Sequence, residues 1–219
     1  MTCLRLGIDE AGRGCVLGPM IFGACLVREE DEAHLRAIGT RDSKRLSAKR
    51  RESLRRELEG LVVEWRTIAI GAEAIDSESL NELGKRAIVE LVVELRPDVV
   101  VVDAPVPPRG IPAYAQDLHQ RLVAHGAGHV KIVAENKADD NHPCCSAASI
   151  FAKTTRDLEI SALSAQSGRN LGSGYPSDPR TRAFLEQTWQ ENQSFPPWVR
   201  TKWETVQRIV ANSAQGRLF

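Results

Sequence analysis

Apolar residues repeat with two periods along this chain. Short runs rich in Val, Ile and Leu read as strands: Leu4 to Ile8 (broken by Arg5 and Gly7), Met20 to Val27, Leu61 to Ile70 and Val130 to Ala134. Asp98-Val99-Val100-Val101-Val102-Asp103 sets four valines between acids, the pattern of a central strand buried on both faces. Other stretches carry the helical period. From Asp76 to Leu95, residues Leu80, Leu83, Ala87, Ile88, Leu91, Val92 and Leu95 fall on one face, and Pro97 ends the run. Further helices are predicted from about Ala48 to Leu58 with Ser47 as N-cap, from Tyr114 to His125, from Pro143 to roughly Ala165, from Pro179 to Gln190, and from about Val199 to Ala211. Ala147, Ala148 and Ser149 are small enough to bring the long helix that starts at Pro143 close to a sheet. Gly18-Pro19 punctuates the first two strands, which are expected to form a hairpin. Glu29 to Glu32 reads as an acidic surface loop, Ala104 to Pro112 as a loop forced by four prolines and a glycine, and Gly168 to Gly174 as a glycine-rich loop. Strands interleaved with helices make this an α/β protein.

Composition narrows the function classes. Lys and Arg number 29 and Asp and Glu number 29, so no global field marks a nucleic-acid binder. The segment Arg41 to Arg56 nevertheless holds eight basic residues against two acidic ones. Within it, Lys44 lies in the loop before a helix, a common place for a phosphate contact. No apolar run is long enough to span a bilayer, and the first strand begins at once, which argues against a signal peptide. Five cysteines, an odd number without Cys-x-x-Cys spacing, fit a reducing cytoplasm and disfavour a thiolate metal site. The length suits one domain, divided into a core over 1–166, a helical extension over 167–214 packed on it, and a tail over 215–219.

Candidate chemistry gathers at strand ends. Asp9 and Glu10 close the first strand and run into Gly12-Arg13-Gly14, a turn that brings backbone close to a ligand and aims a cation at it. Asp103 closes the valine strand, and Asp139 or Asp140 precedes the long helix. If the first and valine strands are parallel neighbours, Asp9 and Asp103 lie side by side. Acids at strand ends are usually turn formers, but several gathered together repel unless cations offset them. Oxygen donors without His or thiolate favour Mg²⁺ or Mn²⁺, and two such ions about 4 Å apart can promote phosphodiester cleavage. Lys153 and Arg156 fall three apart, on one helix face. His142 reads as peripheral.

Asp9-Glu10-Ala11-Gly12-Arg13-Gly14, Asp42-Ser43-Lys44, Val102-Asp103, Lys137-Ala138-Asp139, the stretch from Ser146 to Asp157, and Gly172-Ser173-Gly174-Tyr175-Pro176 together resemble the ribonuclease HII family, in order from residue 7 to about 204. The resemblance implies a ribonuclease H-like fold, a mixed five-stranded sheet flanked by helices with a C-terminal helical extension. It implies a two-metal site of Asp9, Glu10, Asp103 and Asp139, choosing Asp139 over Asp140. The implied activity is cleavage of the RNA strand of RNA/DNA hybrids, and cleavage 5′ of single ribonucleotides in duplex DNA, leaving 3′-hydroxyl and 5′-phosphate ends. Gly12, Arg13, Gly14 and Tyr175 are implied to read the ribose, Tyr175 by packing on the neighbouring sugar. Ser43, Lys44, Lys153 and Arg156 lie in family motifs. Phosphate binding is inferred for Lys44, and Lys153 and Arg156 fit either substrate binding or support of the acids. Gln215-Gly216-Arg217-Leu218-Phe219 resembles tails that dock on sliding clamps, and a monomer is expected.

Four alternatives predict different residues. Ribonuclease HIII typically has Gly-Lys-Gly at the turn and an extra amino-terminal domain, for which little chain precedes Leu4. A junction resolvase would need the acids but neither Gly12-Arg13-Gly14 nor Tyr175. A silent nucleic-acid-binding subunit would lack a carboxylate. An actin-like ATPase would show glycine-rich phosphate loops after paired strands, which are absent from the sequence.

Overall fold

A computed structural model of the chain describes residues 2–40 and 46–215. Its sheet has five strands in the order β3-β2-β1-β4-β5, with β1 at Leu4–Ala11, β2 at Met20–Arg28, β3 at Glu64–Ile70, β4 at Val99–Asp103 and β5 at Lys131–Glu135. β1 and β2 form the expected antiparallel pair, with Ala11 opposite Ile21 and Leu4 opposite Arg28. On its other side β1 runs parallel to β4, and β4 parallel to β5. The valine strand is therefore central, and Val100, Val101 and Val102 are buried.

The helices are α1 (Glu32–Ala37), α2 (Ala48–Glu59), α3 (Ala72–Ser77), α4 (Leu80–Leu95), α5 (Ile111–Ala124), α6 (Ala138–Asn141), α7 (Pro143–Ser167), α8 (Pro179–Asn192) and α9 (Glu204–Gln215). Several differ from the expected boundaries for local reasons. The acidic segment is a 3₁₀ turn at Glu29–Asp31 leading into α1, which buries only Leu35, too little apolar pattern to read as a helix. The helix expected from Asp76 is two helices, because Glu78 takes an extended conformation. α5 starts within the proline-rich segment, since Pro112 suits a first turn. Residues 199–203 precede α9: Leu17 and Val199 instead form an antiparallel bridge.

The chain separates into two compact units. The larger one, residues 1–11, 21–68 and 81–155, holds most of the sheet. In it, α7 lies directly on β1. A Cβ on Gly7 would stand 2.1 Å from the carbonyl carbon of Cys144, so only glycine permits that approach. Gly84 of α4 faces the ring of Phe22, while Gly23 faces Ala148 and Ala152 of α7. Successive strand residues point to opposite faces, so α4 and α7 cover opposite sides of the sheet. Leu35, Leu54 and Leu58 join Phe151 in one buried cluster on the α7 side. Trp65 stacks on Phe151 at 4.9 Å, and the Arg55 guanidinium lies 4.8 Å from the Trp65 ring.

The smaller unit comprises residues 12–20, 69–80 and 156–219. Its core joins Val16, Leu17, Ile160, Leu171, Phe184, Leu185, Val199 and Val206. Asp76 anchors the segment before α9 by accepting hydrogen bonds from Thr201 N and Oγ1 at 2.6 and 2.8 Å.

Candidate active site

Strand register brings the acids of the larger unit together. Ile8 pairs with Val102, so the next residues, Asp9 and Asp103, stand level at the carboxyl ends of neighbouring parallel strands. Gly7 and Asp9 share a strand face, the one covered by α7, and helix residues Ser149 and Lys153 reach Asp9 there. Lys153 Nζ donates to Ser149 Oγ at 2.6 Å. Asp9 is only 8% exposed. Burial pushes its carboxyl up to about 7, opposed by the Lys153 charge and by hydrogen bonds from the Glu10 backbone and Ser149, and reinforced by Asp139. Glu10 follows on the alternate side of the strand and is half-buried.

Asp103 is tied by backbone hydrogen bonds to the turn that leads into Asp139. Asp103 Oδ1 accepts from Lys137 N at 2.7 Å and from Ala138 N at 3.4 Å. Lys137 adopts φ 60°, in the left-handed region, which costs a residue with a Cβ about 1 kcal/mol or more. The Asp103 hydrogen bond offsets part of that cost and fixes the entry into α6. Asp139 then points inward at 4% exposure, while Asp140 is exposed. Asn136 holds the other side of this loop, donating to Ala104 O at 2.7 Å and Val106 O at 2.8 Å. Behind it, His142 Nε2 lies 3.0 Å from Glu135 Oε1, and Arg5 Nη2 lies 3.3 Å from His142 Nδ1. An arginine can only donate, so Nδ1 accepts and Nε2 carries the proton toward Glu135.

The donor set is carboxylate oxygen without thiolate or imidazole, and it includes a buried acid beside a second one. Both features fit a hard divalent cation. Among the described residues no group of three or more His, Cys, Asp or Glu side chains is drawn into a ready-made cage.

The other expected residues lie in the smaller unit. Gly12 has φ +83°, and a Cβ there would meet Pro19 O at 3.0 Å. Its carbonyl accepts from Cys15 N at 3.1 Å, closing the turn around Arg13. Gly174 O accepts from Val16 N at 2.8 Å and Leu17 N at 3.2 Å, which ties the glycine-rich loop to this turn. Tyr175, 37% exposed, has one ring edge 3.8 Å from where a Gly14 Cβ would stand. The Arg156 guanidinium lies 4.9 Å from the Tyr175 ring centre. Arg156 is only 9% exposed, pairs with Asp157 at 3.1 Å and donates to Ser173 O. Its surroundings are the tyrosine loop and the glycine turn, whereas Lys153 sits with Asp9. Ser43 and Lys44 fall outside the described residues, as do Gly216 to Phe219.

Sequence reasoning missed Ser149, Asn136 and Arg200. Ser149 reaches the site through its contacts with Lys153 and Asp9, and Asn136 through hydrogen bonds to two loop carbonyls; neither leaves a periodic signal.

A mixed five-stranded sheet of this order, flanked by helices, is a ribonuclease H-like fold. The ribonuclease HII family model matches residues 6–206. Ribonuclease HII of Thermococcus kodakarensis is 41% identical over 207 residues, covering 93% of this chain and 88% of that protein. That of Pyrococcus furiosus is 39% identical over 209 residues, covering 93% and 89%. The crystal structure of ribonuclease H2 from Pyrococcus horikoshii superposes with a TM-score of 0.87 at 36% identity, covering 97% of this chain and 99% of that one. The ribonuclease HII in the PCNA:RNase HII complex from Archaeoglobus fulgidus gives 0.81 at 36% identity, covering 94% and 96%. A ribonuclease HIII solved with Mn²⁺ shares the fold at 17% identity and a TM-score of 0.78, covering 98% of this chain and 71% of that one. The chain belongs to the ribonuclease HII family and is a ribonuclease H enzyme.

Proposed function

We propose that this enzyme hydrolyses the RNA strand of RNA/DNA hybrids and cuts duplex DNA on the 5′ side of single embedded ribonucleotides, leaving 3′-hydroxyl and 5′-phosphate ends. The observation that carries this reading is the pairing of a buried, charge-penalised Asp9 with Asp139 on one side and Asp103 level with it on the next strand. Asp9, Glu10, Asp103 and Asp139 would hold Mg²⁺ or Mn²⁺. Two such ions supply activation of the attacking water and stabilisation of the leaving oxygen.

The chain's own residues do the rest. Lys153 and Ser149 keep Asp9 oriented and favour its ionised form. The Asp103 contacts to Lys137 N and Ala138 N hold Asp139 in place. Gly12 and Gly14 leave backbone open to a sugar edge, and the 2′-hydroxyl, both donor and acceptor, is what distinguishes RNA from DNA. Tyr175, braced by Arg156, offers a ring face to the adjacent sugar. Lys44 is assigned a backbone phosphate, and Gln215 to Phe219 a sliding clamp, in keeping with the PCNA complex of the A. fulgidus relative.

The test is an end-labelled DNA duplex with one ribonucleotide, run with Mg²⁺ or Mn²⁺ beside an all-DNA duplex, a long RNA/DNA hybrid and Asp103→Asn protein. One cut 5′ of the ribonucleotide, absent from all-DNA and from the variant, is expected. Cutting of the long hybrid alone would remove the ribose-reading role of Gly12-Arg13-Gly14 and Tyr175.

A further inference from the structure

The largest fully buried side chain in the described residues is a charged one, Arg200 at 0% exposure. It forms no ion pair there, and its Nη2 is buried without a hydrogen-bond partner. A buried charge left unpaired is costly, so a position that keeps one needs a reason. Burial lowers the Arg200 pKa to about 10, with Arg156 pressing the same way, so the group remains protonated at neutral pH.

The contacts of Arg200 supply the reason. Nη1 donates to Arg13 O at 3.0 Å and Nε to Gly18 O at 3.1 Å. These carbonyls lie at the two ends of one loop, the glycine turn and its return into β2. The backbone brings the guanidinium there: Gly18 N donates to Trp198 O at 2.8 Å and Arg200 N to Val16 O at 2.9 Å. The Trp203 ring, 5.1 Å away, seats the guanidinium from its own segment. Only a rigid, forked, multiply donating cation can hold both carbonyls at once; an ammonium is a point donor and a neutral amide is shorter.

We infer that Arg200 is a positioning residue for ribose recognition, fixing the span of the Gly12-to-Gly18 loop so that the Gly12-Arg13-Gly14 backbone is pre-formed for the 2′-hydroxyl. This rests on the proposed function of that turn. The consequence is selective. A duplex with one ribonucleotide offers a single 2′-hydroxyl, so a displaced turn loses it. A long hybrid offers one at every RNA residue, so a displaced turn can engage a neighbour.

The test compares wild-type and Arg200→Lys protein on both substrates, with backbone hydrogen exchange read over residues 14–17. The lysine variant keeps the charge but reaches one carbonyl. Its kcat/KM on the single-ribonucleotide duplex is expected to fall about tenfold, the value of one charge-assisted hydrogen bond, with the long hybrid falling about threefold or less. Exchange at residues 14–17 is expected to quicken while residues 6–8 stay protected. If Arg200→Lys does not fold, Trp203→Phe, which weakens the seat without touching the carbonyls, should show the same bias at about twofold to threefold. An equal loss on both substrates, or unchanged exchange at residues 14–17, overturns the inference. If wild-type protein cuts neither substrate, the proposed function fails, while the exchange measurement still decides whether Arg200 holds the loop.

Discussion

Replacing Asp9 with Asn should stabilise the metal-free protein at neutral and alkaline pH. Burial raises the Asp9 carboxyl from its ordinary 3.8 to about 7. In the unfolded chain the acid loses its proton near pH 4, whereas in the folded chain it keeps it until about pH 7. Below pH 4 both states are protonated and the group costs nothing. Between pH 4 and 7 the unfolded state sheds the proton alone, so stability falls as pH rises, and above pH 7 the loss is complete. The gap corresponds to about 4 kcal/mol. Asparagine removes this penalty but leaves Lys153 and Ser149 with a weaker partner, so a net gain of about 2 kcal/mol at pH 8 is expected. For a chain of this size that is about 4–8 °C in Tm. Urea unfolding followed by tryptophan fluorescence in EDTA, at intervals from pH 4 to 8, reads both the gain and its slope. The variant should lose most of the decline between pH 4 and 7. Adding Mg²⁺ or Mn²⁺ at pH 8 should stabilise the wild type through binding to the folded state and leave Asp9→Asn nearly unmoved. A variant less stable than wild type at pH 8, or one with the same slope, would refute the electrostatic account of Asp9.

Two further outcomes are expected. Gly7→Ala forces a methyl within 2.1 Å of the Cys144 backbone, where no side chain can yield; it should destabilise by about 3 kcal/mol or more in thermal melts, and a loss under 1 kcal/mol would mean α7 lies further from β1. Deleting Gln215 to Phe219 should abolish binding to a sliding clamp in a pull-down while leaving cleavage rates on a short duplex unchanged.

Much of this architecture was legible because strand chemistry is local. Four consecutive valines between acids announce a central strand, and the two acid-ended strands are parallel neighbours, a pairing that the pattern itself left open. Asp9, Asp103 and Asp139 could be proposed because each stands where a strand or helix begins or ends. Spacing alone left Asp139 and Asp140 equivalent; the fold separates them, with Asp139 buried and Asp140 exposed in the first turn of α6. Arg156 and Lys153 looked alike on one helix face, yet one braces a tyrosine and the other an acid. Arg200 was invisible for a deeper reason. Periodicity treats arginine as surface, and nothing local says that a guanidinium will be buried on carbonyls contributed by residues near the other end of the chain. The helix expected from Val199 failed for the same reason, since bridging to Leu17 pre-empts it.

The mixed sheet also dictates an order of assembly. β1 and β2 meet through a connection short enough to close early, whereas β1 meets β4 only across a large gap, as in the hydrogen bond from Leu4 N to Asp98 Oδ2, 94 residues apart. Closing long loops is slow because chain entropy is lost before contacts reward it. On a ribosome, then, the first two acids emerge on a hairpin that has no third until β4 is made and no fourth until α6 follows. Under the proposed four-acid site, a nascent chain holding Asp9 and Glu10 alone would carry only half of the oxygen donors, so the site would be completed only after β4 and α6 are made.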